Sequence, residues 1–216
     1  MRTLKSIIAT VAAAALLGGC ASNGYRQAGA AASSLQNTSD RINRGTGQID
    51  AALAALSQLV DNPGADLKLQ FRNFNTAVNG VDAFARDLAS RNVSIQQQGA
   101  TYFQKWDEDL ARIQNEDIRS RSAERKGEVM KQFDRAKANY DATRTQLNPF
   151  LADLRDIRTA VGTDLTPAGL ENIRSAAGKV GARGVAVRQS LTELAVEFKN
   201  LAMSLATPAP SGPPAK

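Results

Sequence analysis

The chain has 216 residues, enough for one domain with a continuous core, and its 27 Lys and Arg against 21 Asp and Glu give a formal charge of +6. It has no histidine and a single cysteine. That composition removes histidine-based triads, the commonest metal ligand, any intramolecular disulfide and cysteine-ligated zinc. With Arg2 and Lys5 set aside the charge excess falls to +4, the mark of a solvated surface and not of a nucleic-acid partner.

In chain order, residues 1–19 have the layout of a signal peptide. Arg2 and Lys5 form a positive start, Ile7 to Leu17 an apolar stretch, and Gly18 and Gly19 lead into Cys20. The apolar stretch is too short to span a bilayer, which takes about 20 residues. Leu17-Gly18-Gly19-Cys20 resembles the lipobox of bacterial lipoproteins. That resemblance implies that Cys20 becomes the first mature residue and carries lipid, so the membrane is the first expected partner. It also implies an outer-membrane destination on the periplasmic face, because Ala21 and Ser22 replace the aspartate that retains enterobacterial lipoproteins at the inner membrane.

Residues 20–34 are rich in Ala, Gly and Ser without apolar periodicity and read as a lipidated flexible tether. Residues 35–206 read as a helical bundle. Leu35, Ile42, Ile49, Leu53, Leu56 and Val60 mark a shorter first helix. Leu67, Phe71, Phe74, Val78, Val81 and Leu88 begin a second, continued by Phe103, Trp106, Leu110 and Ile113. The third runs from Val129 through Phe133, Ala136, Tyr140, Thr143, Leu147, Phe150, Leu154 and Ile157 to Val161. The fourth runs from Leu170 through Ile173, Ala177, Val180, Gly184, Val187, Leu191, Leu194, Phe198 and Leu201 to Leu205. Steps of three and four hold these residues on one helical face, whereas a strand would alternate.

The predicted fold class is all-α: an elongated antiparallel bundle of three long heptad-patterned helices plus one shorter N-terminal helix. Asn62-Pro63-Gly64 breaks the first helix from the second, and Asp66 caps the second. Gly162 ends the third, and Thr166-Pro167 opens the fourth as cap and first helical residue. The boundary near Asn115 and the stretch Ser90 to Ser94 are weaker signals. Pro149 falls inside the third stripe without disturbing its phase, which predicts a kinked but continuous helix. Residues 207–216, with four prolines in ten, form a Pro-rich disordered tail.

Little in the chain suggests catalysis, and no catalytic residue, metal site or cofactor is expected. Gly178-Lys179-Val180-Gly181-Ala182-Arg183-Gly184 has the look of a phosphate loop but lies on the fourth stripe, where small residues permit close helix approach. Asp107-Glu108-Asp109 is the densest acidic run, and consecutive helix positions point it in different directions. From Asn172 to Thr192 there is no acid, while Arg174, Lys179, Arg183 and Arg188 are basic. These four are candidates to contact anionic headgroups or peptidoglycan carboxylates, whereas Arg174, Arg183 and Arg188 flank the apolar seam, where interhelical pairing or simple solvation accounts for them. Trp106 and Phe103 read as core, and Phe133 as a core aromatic whose truncation costs about 3–5 kcal/mol. The tail ending in Lys216 is similar to that by which the major murein lipoprotein is joined to peptidoglycan, which makes Lys216 a candidate attachment point.

From Leu56 to Leu201 the chain resembles an uncharacterised family of Gram-negative lipoproteins, a domain of unknown function. The resemblance is carried by Leu59-Val60, by Trp106-Asp107-Glu108-Asp109-Leu110, by the turn from Asn115 to Arg119, and by the run from Pro149 to Asp156. A histidine-containing segment often follows the proline helix in that family, whereas Ala160 to Leu165 contains none. The family implies architecture and location and no activity. The expected function is a non-enzymatic, lipid-anchored binding, spacing or scaffold module of the envelope, with an envelope protein or peptidoglycan as partner and no nucleic acid. The alternatives are a peptidoglycan-tethering lipoprotein and a carboxylate-dependent glycan hydrolase using Asp107 or Glu116, for which the sequence offers no obvious groove. A heptad stripe is satisfied within one chain or between chains, so the oligomeric state stays open.

Overall fold

A computed structural model describes residues 21–206, which form α1 (Ala21–Val60), α2 (Leu67–Leu110), α3 (Glu116–Thr163) and α4 (Pro167–Ala206). The signal-like segment, Cys20 and the tail with Lys216 lie outside the described residues. Helices α2, α3 and α4 each start where a side chain supplies a cap. Asp66 accepts a hydrogen bond from the Leu69 amide at 2.9 Å, Asn115 from the Ile118 amide at 3.1 Å, and Thr166 from the Gly169 amide at 3.2 Å. Gln70 ties the α1–α2 turn: its amide group donates to the carbonyls of Gln58 and Asn62, and its Oε1 accepts from the Gly64 amide.

Short connections make consecutive helices antiparallel, and cross-helix contacts fix their register. Asp61 meets Arg174 and Asp50 meets Arg188 between α1 and α4. Asn79 meets Arg158 between α2 and α3, Gln146 meets Ser190 between α3 and α4, and Arg41 approaches Asp87 between α1 and α2. The backbones of the diagonal pairs α1/α3 and α2/α4 are not in close contact. The result is an up-down-up-down four-helix bundle with every inward stripe on a common axis.

The α3 stripe is buried throughout except at Phe133, and the α4 stripe except at Ala177 and Leu205, which are partly covered. Pro149 lies inside α3 with its ring exposed. Its missing N–H removes a partner for the carbonyl of Thr145, an exposed residue. α2 passes through Ser90–Ser94 without a break.

Three expectations need correction. The first helix is longer than the stripe from Leu35 suggested: its described part spans 40 residues, as in α4, against 44 and 48 in α2 and α3. The stretch read as a tether is helical from Ala21 onward. Alanine favours helix intrinsically, and burial in this part of α1 falls on Ala31 and Ala32, which leave no large-apolar periodicity to read. Phe133 is not a core residue but a half-buried one near one end of the bundle.

Buried polar groups are few. Asp82 of α2 is the buried acid of the α2–α3 interface, 8% exposed, and accepts both Nε, at 3.0 Å, and Nη2 of Arg155 from α3. The Arg155 side chain is 48% exposed. Arg155→Ala strands a buried carboxylate and is expected to cost about 1–3 kcal/mol, whereas Asp82→Ala leaves a guanidinium that water reaches and costs less. Urea unfolding of the two variants checks the asymmetry. In the same assay Phe150→Ala, at a residue with no exposure, is expected to cost about 3–5 kcal/mol and Phe133→Ala clearly less.

Candidate functional site

The four basic residues of α4 do not converge. Arg174 and Arg188 lean toward α1, where Arg174 reaches Asp61 at 3.2 Å and Arg188 reaches Asp50 at 3.2 Å. Arg174 also pairs with Glu171 at 2.9 Å, and this carboxylate, with Asp61 behind it, raises the arginine's already high pKa. Lys179 and Arg183 lean the other way and line a groove of about 310 Å³ between α3 and α4. In that groove Arg183 is paired with Asp153. Three of the four therefore spend their charge on neighbouring helices, and Lys179 shares its groove with Asp153 and Asp156. Such exposed pairs add little stability each, about 0.2–1 kcal/mol, but their geometry fixes the register of α4 against both neighbours. Within the glycine-rich stretch, Gly184 receives the Leu53 side chain, while Gly178 and Gly181 face open space.

The acidic run lies at the opposite end of the molecule from the α1–α2 and α3–α4 turns. Asp107 pairs with Lys126 of α3, and Glu116 pairs with Arg119 one turn along α3. Lys105 takes Glu108 at 2.9 Å and Asp109 at 3.5 Å, and Arg112 also approaches Asp109 at 3.5 Å. The hydrogen bond from Lys105 holds the Glu108 carboxyl below the usual glutamate range, and the same bond raises the Lys105 ammonium. Among the described residues no group of His, Cys, Asp and Glu side chains is arranged to hold a metal ion. No described helix is long and apolar enough to cross a membrane.

Beside this run is a groove that the sequence did not reveal. It measures about 240 Å³ and is walled by Gln27 of α1, by Tyr102, Trp106 and Leu110 of α2, by Ile113, and by Ser122 of α3. Trp106 is not core: it is half-buried, donates its indole N–H to Ser122 Oγ at 3.0 Å, and meets Tyr102 edge-on at 5.4 Å between centroids. Burial raises the Tyr102 phenol above its ordinary pKa, with Arg125 opposing. Next to them Phe103, half-buried like Trp106, stands edge-on to Phe133, whose ring occupies the space that a side chain at Gly99 would fill. Asp109 lines the groove, whereas neither Asp107 nor Glu116 does. The helical spacing of Tyr102, Trp106 and Leu110 is visible in the sequence; that the fourth helix fails to cover them is not.

For Glu108, a depressed pKa means the pairing with Lys105 is present at neutral pH and is lost as pH falls through its folded-state value, below the usual glutamate range. Lys105→Met is expected to move the Glu108 titration upward toward that of an ordinary glutamate, as followed by carboxyl NMR. In comparisons with known proteins, no curated protein and no solved structure matches this chain. One family does, described as a protein of unknown function, DUF2959, and it matches residues 21–197. With most of the bundle inside that match, the chain belongs to the DUF2959 family.

Proposed function

We propose that the chain is a lipid-anchored protein of the bacterial outer membrane whose bundle acts as a spacer or binding module in the periplasm and not as a catalyst. The observation that carries this reading is that the chain is already helical at Ala21, the residue after Cys20. An acylated Cys20 would then join directly to a helix of 40 residues, about 60 Å at 1.5 Å per residue, with no flexible link between membrane and body. A body held in that way keeps a fixed stand-off from the bilayer, which is what a spacer requires.

The charge distribution supports the non-catalytic half of the reading. The acids considered for glycan hydrolysis, Asp107 and Glu116, are each held by a basic neighbour and neither lines the aromatic groove. Because Arg174, Arg183 and Arg188 are engaged by carboxylates of α1 and α3, the reading favours a protein partner over electrostatic capture of peptidoglycan by α4. Covalent attachment through Lys216 is a separate matter that these pairs do not touch.

Cell fractionation tests the anchor. The wild-type chain is expected in the outer-membrane fraction and Cys20→Ala in the soluble periplasmic fraction, or retained as unprocessed precursor. Wild type recovered as soluble periplasmic protein overturns the reading.

A further inference from the structure

One corner of the bundle is left open at the end that carries the aromatic groove. Leu205 shares an apolar crevice with Ala31, and Arg125 of α3 donates to the Ser204 carbonyl at 2.6 Å, so α4 finishes level with Ala31 and Arg125. α1 is helical back to at least Ala21, and α3 starts at Glu116. Both therefore run on for about nine residues, roughly 13 Å, past the point where α4 stops. Over that length α1, α2 and α3 supply three corners, and among the described residues nothing supplies the fourth. Burial fades accordingly: beyond Gly99 on α2 and before Val129 on α3 no residue is fully buried.

We propose that the proline-rich segment directly after α4, residues 207–214, lies in this corner with its proline rings on Tyr102 and Trp106. Four features argue for this occupant. The segment leaves Ala206 at the head of the cleft, because Leu201 and Leu205 line the crevice that Tyr102 shares with the groove. Pro208, Pro210, Pro213 and Pro214 prevent α4 from continuing as a helix into the corner and favour an extended polyproline conformation. Such segments dock in aromatic-lined grooves at little cost in ordering entropy, because their shape is already set. At about 3.1 Å per residue, about four of these residues cover the open length.

Trp106 is the single tryptophan, so its fluorescence reads this cleft alone. Emission maximum and acrylamide quenching are to be compared between the full chain, a chain lacking residues 207–216, and a chain with Pro208→Ser, Pro210→Ser, Pro213→Ser and Pro214→Ser together. Far-ultraviolet circular dichroism checks that the helices are intact in each. Both variants are expected to show red-shifted emission and faster quenching, and a synthetic peptide of residues 207–216 to reverse the change in the truncated chain. Identical spectra and quenching in all three chains overturn the proposal. So does protection that disappears on dilution of the full chain, which points to a second copy in the cleft. Protection that arises only on adding phosphatidylethanolamine–phosphatidylglycerol vesicles points to the bilayer and overturns it as well.

Discussion

Leu53 can lie over residue 184 only because that residue is glycine: a Cβ there would stand 2.7 Å from Leu53 Cδ1. This clearance sets how near α1 and α4 come at mid-length, and their pairing is the most extensive in the bundle. The Ser39 hydroxyl donates to the Ala195 carbonyl at 2.7 Å in the same buried seam. With α1 and α4 drawn together by small residues, α2 and α3 pack on the outer sides of the pair. Phe84 occupies the space left by Gly45 between α2 and α1, and Thr143 turns toward the Ser190 carbonyl between α3 and α4. The facing pair α2/α3 closes the ring through longer side chains, Asp82 to Arg155 and Phe103 to Phe133. Close approach on one side and aromatic or ionic reach on the other stem from one constraint, the volume at a few α1–α4 positions.

Much of this was legible in the sequence because helical periodicity reports burial directly. The α3 residues from Val129 to Val161 and the α4 residues from Leu170 to Leu201 announced an inward face, and most of that face is buried. The caps at Asp66 and Thr166 could be read because a short polar side chain before an amphipathic run has a local mechanism. What escaped were features that depend on the partner helix. Ala31 and Ala32 carry burial without large side chains, so the first turns of α1 resembled a linker. Phe133 and Trp106 sat on faultless stripes yet are half-buried, because stripe position says which way a residue faces and not whether something lies opposite.

The same distinction governs the charged residues. A run without acids from Asn172 to Thr192 looks like a basic surface when read along one helix. In three dimensions its arginines meet Asp50, Asp61 and Asp153, which lie far away in sequence on α1, just past its end, and on α3. Linear charge counts therefore overstate the field that α4 presents. Conversely the acidic run at Asp107–Asp109 is largely balanced by Lys105, Arg112 and Lys126, and what distinguishes that end is its uncovered aromatic wall.

The two ends of the rod also differ in how they are closed. At one, the α1–α2 turn is knotted by Gln70 and the α3–α4 turn by Thr166, which donates to Asp164 while accepting from Gly169. Core residues there reach Val60, Val161 and Leu170, almost to the turns themselves. At the other, the α2–α3 hairpin extends past the last fully buried layer. Local opening costs least where buried apolar contacts are fewest. The molecule is thus graded along its length, and its backbone amides should exchange with solvent in order from the 111–115 loop inward. The chain is a rod that frays from one tip and is clamped at the other, and mechanical load applied at residue 21 enters on the side that yields first.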